Sequence, residues 1–174
     1  FNRVERCNIH DCYLGLNIYG SNNVIRNNEI HDTYATGLFI TGGDDNLVED
    51  NNLENIAIIP GIGEHSWGYM GLRISGLRTI IRGNTLNKIG YIGIALSDNQ
   101  VCENNLIKNA CYILNDGSGI AFDNADGLII RNNIVLDTIG NIDGVPPTWE
   151  GAKPKGKGIY FGNTKLNNVS VLNN

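Results

Sequence analysis

The chain of 174 residues reads as an all-β solenoid of short parallel strands stacked coil on coil, and three observations predict it. Asn accounts for 27 of the 174 residues, several times ordinary usage. An eight-residue phrase recurs along the chain: NRVERCNI at 2–9, NVIRNNEI at 23–30, NLVEDNNL at 46–53, TIIRGNTL at 79–86, NQVCENNL at 99–106 and LIIRNNIV at 128–135. A second phrase follows each copy, a Gly and then apolar–variable–apolar, from Gly15-Leu-Asn-Ile18 to Gly158-Ile-Tyr-Phe161. Alternation of this kind is the period-2 mark of a half-buried strand. A repeat of about 20 to 23 residues cannot bury an apolar face alone and must stack on its neighbours. The arrangement that satisfies all three observations is a single-stranded right-handed parallel β-helix, of about six full coils plus a partial seventh.

Within each coil the first phrase carries two strands. One apolar column runs Val4, Ile25, Val48, Ile81, Val101, Ile130 and Val171; the other runs Ile9, Ile30, Leu53, Leu86, Leu106 and Val135. Between them Cys7, Asn28, Asn51, Asn84, Asn104, Asn133 and Asn174 form a ladder about 4.8 Å per rung, at a turn whose left-handed backbone Asn tolerates and whose amides bond rung to rung. The residue after the first column runs Glu5, Arg26, Glu49, Arg82, Cys102 and Arg131, opposite charges stacked over the first four coils. The Gly phrase supplies the third strand. Leucine-rich repeats of similar period are excluded because the Leu-x-x-Leu-x-Leu frame is absent, and helical bundles because Asn forms helices poorly and no 3.6-residue period is sustained.

Composition narrows the function. The net charge of −5 and the lack of a basic cluster beyond 153–157 argue against a nucleic-acid partner, and no apolar run approaches a membrane span. His10 and His31 share a column beside Asp11 and Asp32, a surface stack rather than a metal site, and no metal site is expected elsewhere. Cys7, Cys12, Cys102 and Cys111 lack Cys-x-x-Cys spacing and are expected to be mostly free thiols. Residues 1–174 are expected to form one β-helix domain, a segment of a longer solenoid, whose open ends are covered by the rest of a longer chain or by an oligomer.

All large variation in coil length falls at one corner, in loops Ile56–Met70, Asn109–Ser118 and Thr138–Lys157, and insertions on one face of a solenoid commonly build its binding site. These loops lead into the Gly strand, whose outward row is Asn17, Phe39, Arg73, Ala95, Ala121 and Tyr160. Ala95 and Ala121 predict a low trough of roughly 14 Å between Arg73 and Tyr160. Candidate catalytic residues there are Asp123, Asp116, Asp98, His65 and Arg73. Candidate binding residues are Trp67, Tyr69, Trp149, Tyr160, Glu64 and Glu150, with the indoles as stacking platforms for sugar rings. Asp98 and Asp123, on adjacent coils, are expected roughly 5–8 Å apart, within range of a glycosidase carboxylate pair.

The two repeated phrases resemble those of the pectin-lyase-like superfamily of right-handed parallel β-helices, over essentially the whole chain. That resemblance implies the fold and, more loosely, a protein acting on a polysaccharide or oligosaccharide as a glycoside hydrolase or polysaccharide lyase, secreted or at the cell surface, with a carbohydrate polymer as partner. The alternative in the same superfamily is a non-catalytic spike or adhesin shaft, or a carbohydrate-binding surface. Asp116-Gly-Ser-Gly-Ile-Ala-Phe-Asp123 is similar to an Asp-Gly-x-Gly-Ile-x-x-Asp stretch of β-helix glycoside hydrolases, which implies that Asp116 and Asp123 line the site. The acid triplets and Gly-His-Gly of polygalacturonases and the Asp-Pro-His of alginate epimerases are missing. No cofactor is implied, save Ca²⁺ for a lyase, in which Arg73 beside Asp98 and Asp123 would serve.

Overall fold

A computed structural model describes residues 1–63, 65–143, 153–162 and 165–174. The first coil holds β1 (Arg3–Glu5), β2 (Asn8–His10) and β3 (Leu16–Tyr19); the second β4 (Val24–Arg26), β5 (Glu29–Thr33) and β6 (Leu38–Thr41). The third holds β7 (Leu47–Glu49), β8 (Asn52–Ile56) and β9 (Leu72–Ile74); the fourth β10 (Ile80–Arg82), β11 (Thr85–Ile89) and β12 (Ile94–Leu96). The fifth holds β13 (Val101–Glu103), β14 (Leu106–Lys108) and β15 (Ser118–Phe122); the sixth β16 (Ile129–Arg131), β17 (Ile134–Leu136) and β18 (Lys157–Phe161), and β19 (Ser170–Leu172) begins a seventh. Like strands stack in parallel into one seven-stranded and two six-stranded sheets, as the repeats predict. Among the described residues the only helical element is a 3₁₀ turn at Ser66–Gly68.

The three sheets enclose a dry core of single-file apolar columns. Ile25, Val48, Ile81, Cys102 and Ile130 come from the first sheet, Ile30, Leu53, Leu86 and Ile107 from the second, and Leu38, Leu72, Ile94 and Ile120 from the third, all fully buried. The Gly column exists because the chain turns inward there. A Cβ on Gly93 would lie 2.4 Å from the Gly119 carbonyl oxygen, and one on Gly15 2.3 Å from that of Gly37.

Register in the fifth coil differs from the sequence expectation by one residue. Cys102, not Val101, pairs with Ile81 and Ile130; Ile107, not Leu106, pairs with Leu86 and Val135; and the ladder rung is Asn105, not Asn104. Val-Cys, Asn-Asn and Leu-Ile are doublets, so the phrase Gln100–Ile107 fits its neighbours as well as 99–106 does. A slip of one flips every side chain to the other face, and the structure turns Cys102 and Ile107 inward. The outward charge row then becomes Glu5, Arg26, Glu49, Arg82, Glu103 and Arg131, alternating through all six coils. Glu5, Glu49 and Glu103 each bridge to the Arg one coil on, at 2.9, 2.5 and 2.7 Å.

Asn does two separate jobs. In the ladder, each side-chain amide donates to the next Asn oxygen, from Asn28 through Asn51, Asn84, Asn105 and Asn133 to Asn174, at 2.8–3.0 Å. Successive rungs lie 23, 33, 21, 28 and 41 residues apart in sequence, so the stack ignores the loop lengths. Cys7 occupies the first rung only through its backbone N–H, 3.0 Å from Asn28 Oδ1. The left-handed residue is not the rung itself but the one before it: Arg6, Asn27, Asp50, Gly83, Asn104, Asn132 and Asn173, with φ of 52–66°. Two more left-handed columns mark the other corners, Asp11, Asp32, Asn55, Lys88, Asn109 and Asp137, and Asn22, Asp45, Arg78, Asn99, Gly127 and Asn168. Asn and Asp tolerate that region best among residues with a side chain.

Candidate functional site

The outward row of the third sheet is as expected: Asn17, Phe39, Arg73, Ala95, Ala121 and Tyr160 stand in register on consecutive coils. The two alanines floor a groove of about 380 Å³ lined by Trp67, Tyr91, Tyr160, Asp116, Ser118 and Asp123 among others. Trp67 is half exposed and Tyr160 is also open to solvent.

The coil-three loop builds one wall. It tightens through the 3₁₀ turn, with His65 N–H donating to Gly63 O at 2.7 Å and Gly68 N–H to His65 O at 2.8 Å. Thr36 Oγ1 donates to the Trp67 carbonyl at 3.1 Å and ties the turn to the second coil. Tyr69, expected to contact substrate, is instead the loop's anchor. It is 4% exposed, and its ring fills the space that a Cβ on Gly63 or Gly90 would need. His65 is exposed and does not line the groove. Arg73 is half-buried, its guanidinium carbon 4.6 Å from the Phe39 ring centre and 5.0 Å from that of Trp67. It thus stacks between two aromatic rings behind the wall rather than reaching into the groove.

The far wall comes from coils five and six. Lys157 at the start of β18 pairs with the Asp116 carboxylate, and its ammonium lies 4.8 Å from the Tyr160 ring centre. Tyr91 donates its hydroxyl to the Asp116 carbonyl at 3.3 Å. Burial pushes the Tyr91 phenol up and the Asp116 charge adds to the shift, so it stays a donor. Ser118 is fully buried, and its hydroxyl has no hydrogen-bond partner among the described residues although the residue lines the groove.

Of the three aspartates, Asp116 and Asp123 line the groove and Asp98 does not. Asp98 lies past the outward row and accepts the Asp126 N–H at 3.0 Å, so it belongs to the corner and not to the groove. Asp98 therefore does not line the groove beside Asp123: outward residues alternate, and Ser97 rather than Asp98 follows Ala95 on that face. Asp116 and Asp123 flank opposite ends of β15, a strand about 13 Å long, and serve opposite ends of the groove. Asp123 is exposed and has no ion-pair partner among the described residues. It rests on Gly162, where a Cβ would fall 1.6 Å from its Oδ1. Glu64, Trp149 and Glu150 lie outside the described residues.

Of the residues singled out from the sequence, Trp67, Asp116, Asp123, Ala95, Ala121 and Tyr160 line the groove. Tyr91 and Ser118, which no motif marks, line it too, and the strand register Ser118–Lys157 brings Lys157 to Asp116.

Elsewhere His10 and His31 form the stack expected of them, ring centroids 4.8 Å apart, each Nδ1 2.7 Å from its neighbouring Asp. All four cysteines are free. Among the described residues no three His, Cys, Asp or Glu side chains are grouped to hold a metal. Asp123 alone does not supply the roughly six to eight oxygens that Ca²⁺ takes. No helix among the described residues is long and apolar enough to cross a membrane.

Residues 2–135 match the family model described as the right-handed β-helix region. No curated protein and no solved structure matches the chain.

Proposed function

The chain belongs to the right-handed β-helix family, and from that premise we propose that it is a carbohydrate-binding β-helix whose groove over the third to sixth coils holds a stretch of polysaccharide or oligosaccharide. The observation that carries this reading is the groove itself: a floor of two alanines between Trp67 and Tyr160, with the carboxylates of Asp116 and Asp123 in its lining. Sugar rings offer apolar C–H faces to aromatic side chains and hydroxyls to carboxylates and hydroxyl groups, which is the mixture this groove presents.

Cleavage asks for more. A glycosidase needs two carboxylates within about 5–10 Å across one bond. Asp123 is open, but Asp116 is held by Lys157 and Asp98 by the Asp126 amide. Binding is thus the better-supported function, with a secreted or cell-surface location as its natural setting.

The test is a glycan panel read by calorimetry on the wild type and on Ala121→Trp, which fills the floor. Binding of at least one glycan, lost in the variant with the circular dichroism unchanged, is the expected result. Equal binding by both proteins refutes the groove. The same incubations, assayed for new reducing ends and for unsaturated uronates, report hydrolase or lyase activity.

A further inference from the structure

The charges around the groove are not balanced. Asp116 is offset by Lys157. Arg73 is spent between Phe39 and Trp67, and it is not part of the lining. That leaves Asp123, which has no cation beside it among the described residues: the coil on one side presents Ser97, and the coil on the other presents Gly162, whose N–H bonds the Phe122 carbonyl at 3.1 Å. Gly162 is what lets the carboxylate lie there, since any side chain would occupy the position of Asp123 Oδ1. The rings around the groove already accept cations, Lys157 over Tyr160 and Arg73 over Trp67.

We infer that the groove selects saccharides bearing a free amino group over neutral ones, and rejects uronates, with Asp123 as the residue that reads the charge. This rests on the saccharide reading above. A protonated amine on a sugar seated over Ala121 meets the Asp123 carboxylate, the lining carboxylate that Lys157 does not pair with. A uronate in the same seat meets an uncompensated like charge. A neutral sugar hydroxyl makes an ordinary hydrogen bond to Asp123 and forgoes the charge-assisted one.

The experiment measures binding of three oligosaccharides of equal length: a glucosamine oligomer, its N-acetylated counterpart and an oligogalacturonate. Each is titrated against the wild type, Asp123→Asn and Gly162→Ala at low ionic strength. The wild type is expected to hold the glucosamine oligomer about tenfold more tightly than the acetylated one, the low end for a charge-assisted hydrogen bond at an exposed carboxylate. That margin should shrink as salt is raised and vanish in Asp123→Asn. Gly162→Ala, which displaces the carboxylate, should narrow it without removing neutral binding. Equal affinity for the amine and its acetylated form, a preference that survives Asp123→Asn, or tighter binding of the oligogalacturonate each overturns the inference. Acetylated binding that is sensitive to Ala121→Trp but shows no charge preference overturns this inference alone, whereas binding of none of the three, nor of any glycan in the panel, takes the groove reading down with it.

Discussion

Asn84→Ala cuts the ladder at its middle rung. Asn84 is fully buried, and its Oδ1 accepts from both the backbone N–H of Asn51, at 3.0 Å, and the Asn51 side-chain amide, at 2.9 Å. Its own amide donates to the Val48 carbonyl at 3.0 Å, to the Arg82 carbonyl at 3.1 Å and to Asn105 Oδ1 at 3.0 Å. Truncation takes the acceptor from the Asn51 backbone N–H and from one N–H of the Asn51 amide, whose other N–H stays on the Ile25 carbonyl, and it strips the Val48 carbonyl of this donor. At about 1–3 kcal/mol for a buried unpaired group, and taking the low end because neighbours relax, the loss is about 3 kcal/mol. For a domain of this size that lowers Tm by roughly 6–12 °C. Asn84→Asp keeps an acceptor for Asn51 but aims an anionic oxygen at the Val48 and Arg82 carbonyls and at Asn105 Oδ1, and it should cost at least as much. The control is Asn17→Ala, an exposed strand residue whose side chain makes a single 3.5 Å hydrogen bond, to Tyr19, among the described residues, with an expected change within about 0.5 kcal/mol. The assay is thermal and urea unfolding by circular dichroism on all three variants. If Asn84→Ala melts within about 2 °C of Asn17→Ala, the ladder is ornament and the reasoning fails.

Four further outcomes follow from the same packing. Burial pushes the thiols of Cys102 and Cys111 up to about 12 and about 11, so in the folded protein they should resist a thiol reagent at pH 8 that labels the exposed Cys7, and all four should react in denaturant. With both thiols raised above their ordinary 9.0, the unfolded chain releases protons first; stability therefore declines as pH rises past 9.0, measurable as a falling urea midpoint. Gly93→Ala drives a Cβ to 2.4 Å from the Gly119 carbonyl and 2.7 Å from an Ile107 methyl, and an overpacking cost of about 1–3 kcal/mol should appear as a lowered Tm. Glu49→Arg puts a third positive charge in line between Arg26 and Arg82 and should cost about 1 kcal/mol, a loss that shrinks at high salt; no salt dependence would mean that the row is inert.

Much of this molecule is written one coil at a time. Six copies of a phrase, the spacing of its two apolar columns and the Gly that precedes each third strand were enough to predict three parallel sheets and the corner where the loops grow. The excess of Asn was enough to predict the ladder. The register failed only where the phrase contains doublets, at Val101-Cys102, Asn104-Asn105 and Leu106-Ile107, because local pattern cannot tell which member of a doublet faces inward when both suit the core. The neighbouring coils decide it: Glu103 completes the alternation between Arg82 and Arg131, and Asn105 reaches both Asn84 and Asn133.

The groove divides along the same line. Its floor follows from strand alternation, a local rule, so Ala95, Ala121 and Tyr160 were found where they lie. Its walls are long-range contacts. That Tyr69 turns into the core while Trp67 stays out, that Asp98 caps a corner, and that Lys157 crosses 41 residues of sequence to meet Asp116 depend on how loops of unequal length settle on the barrel. The sequence by itself determined the coil, because the coil repeats and every repeat reports on the same turns and columns. Only the tertiary structure decided which ionisable groups were neutralised and which stayed open, because each loop occurs once and its side chains find their partners across space rather than along the chain.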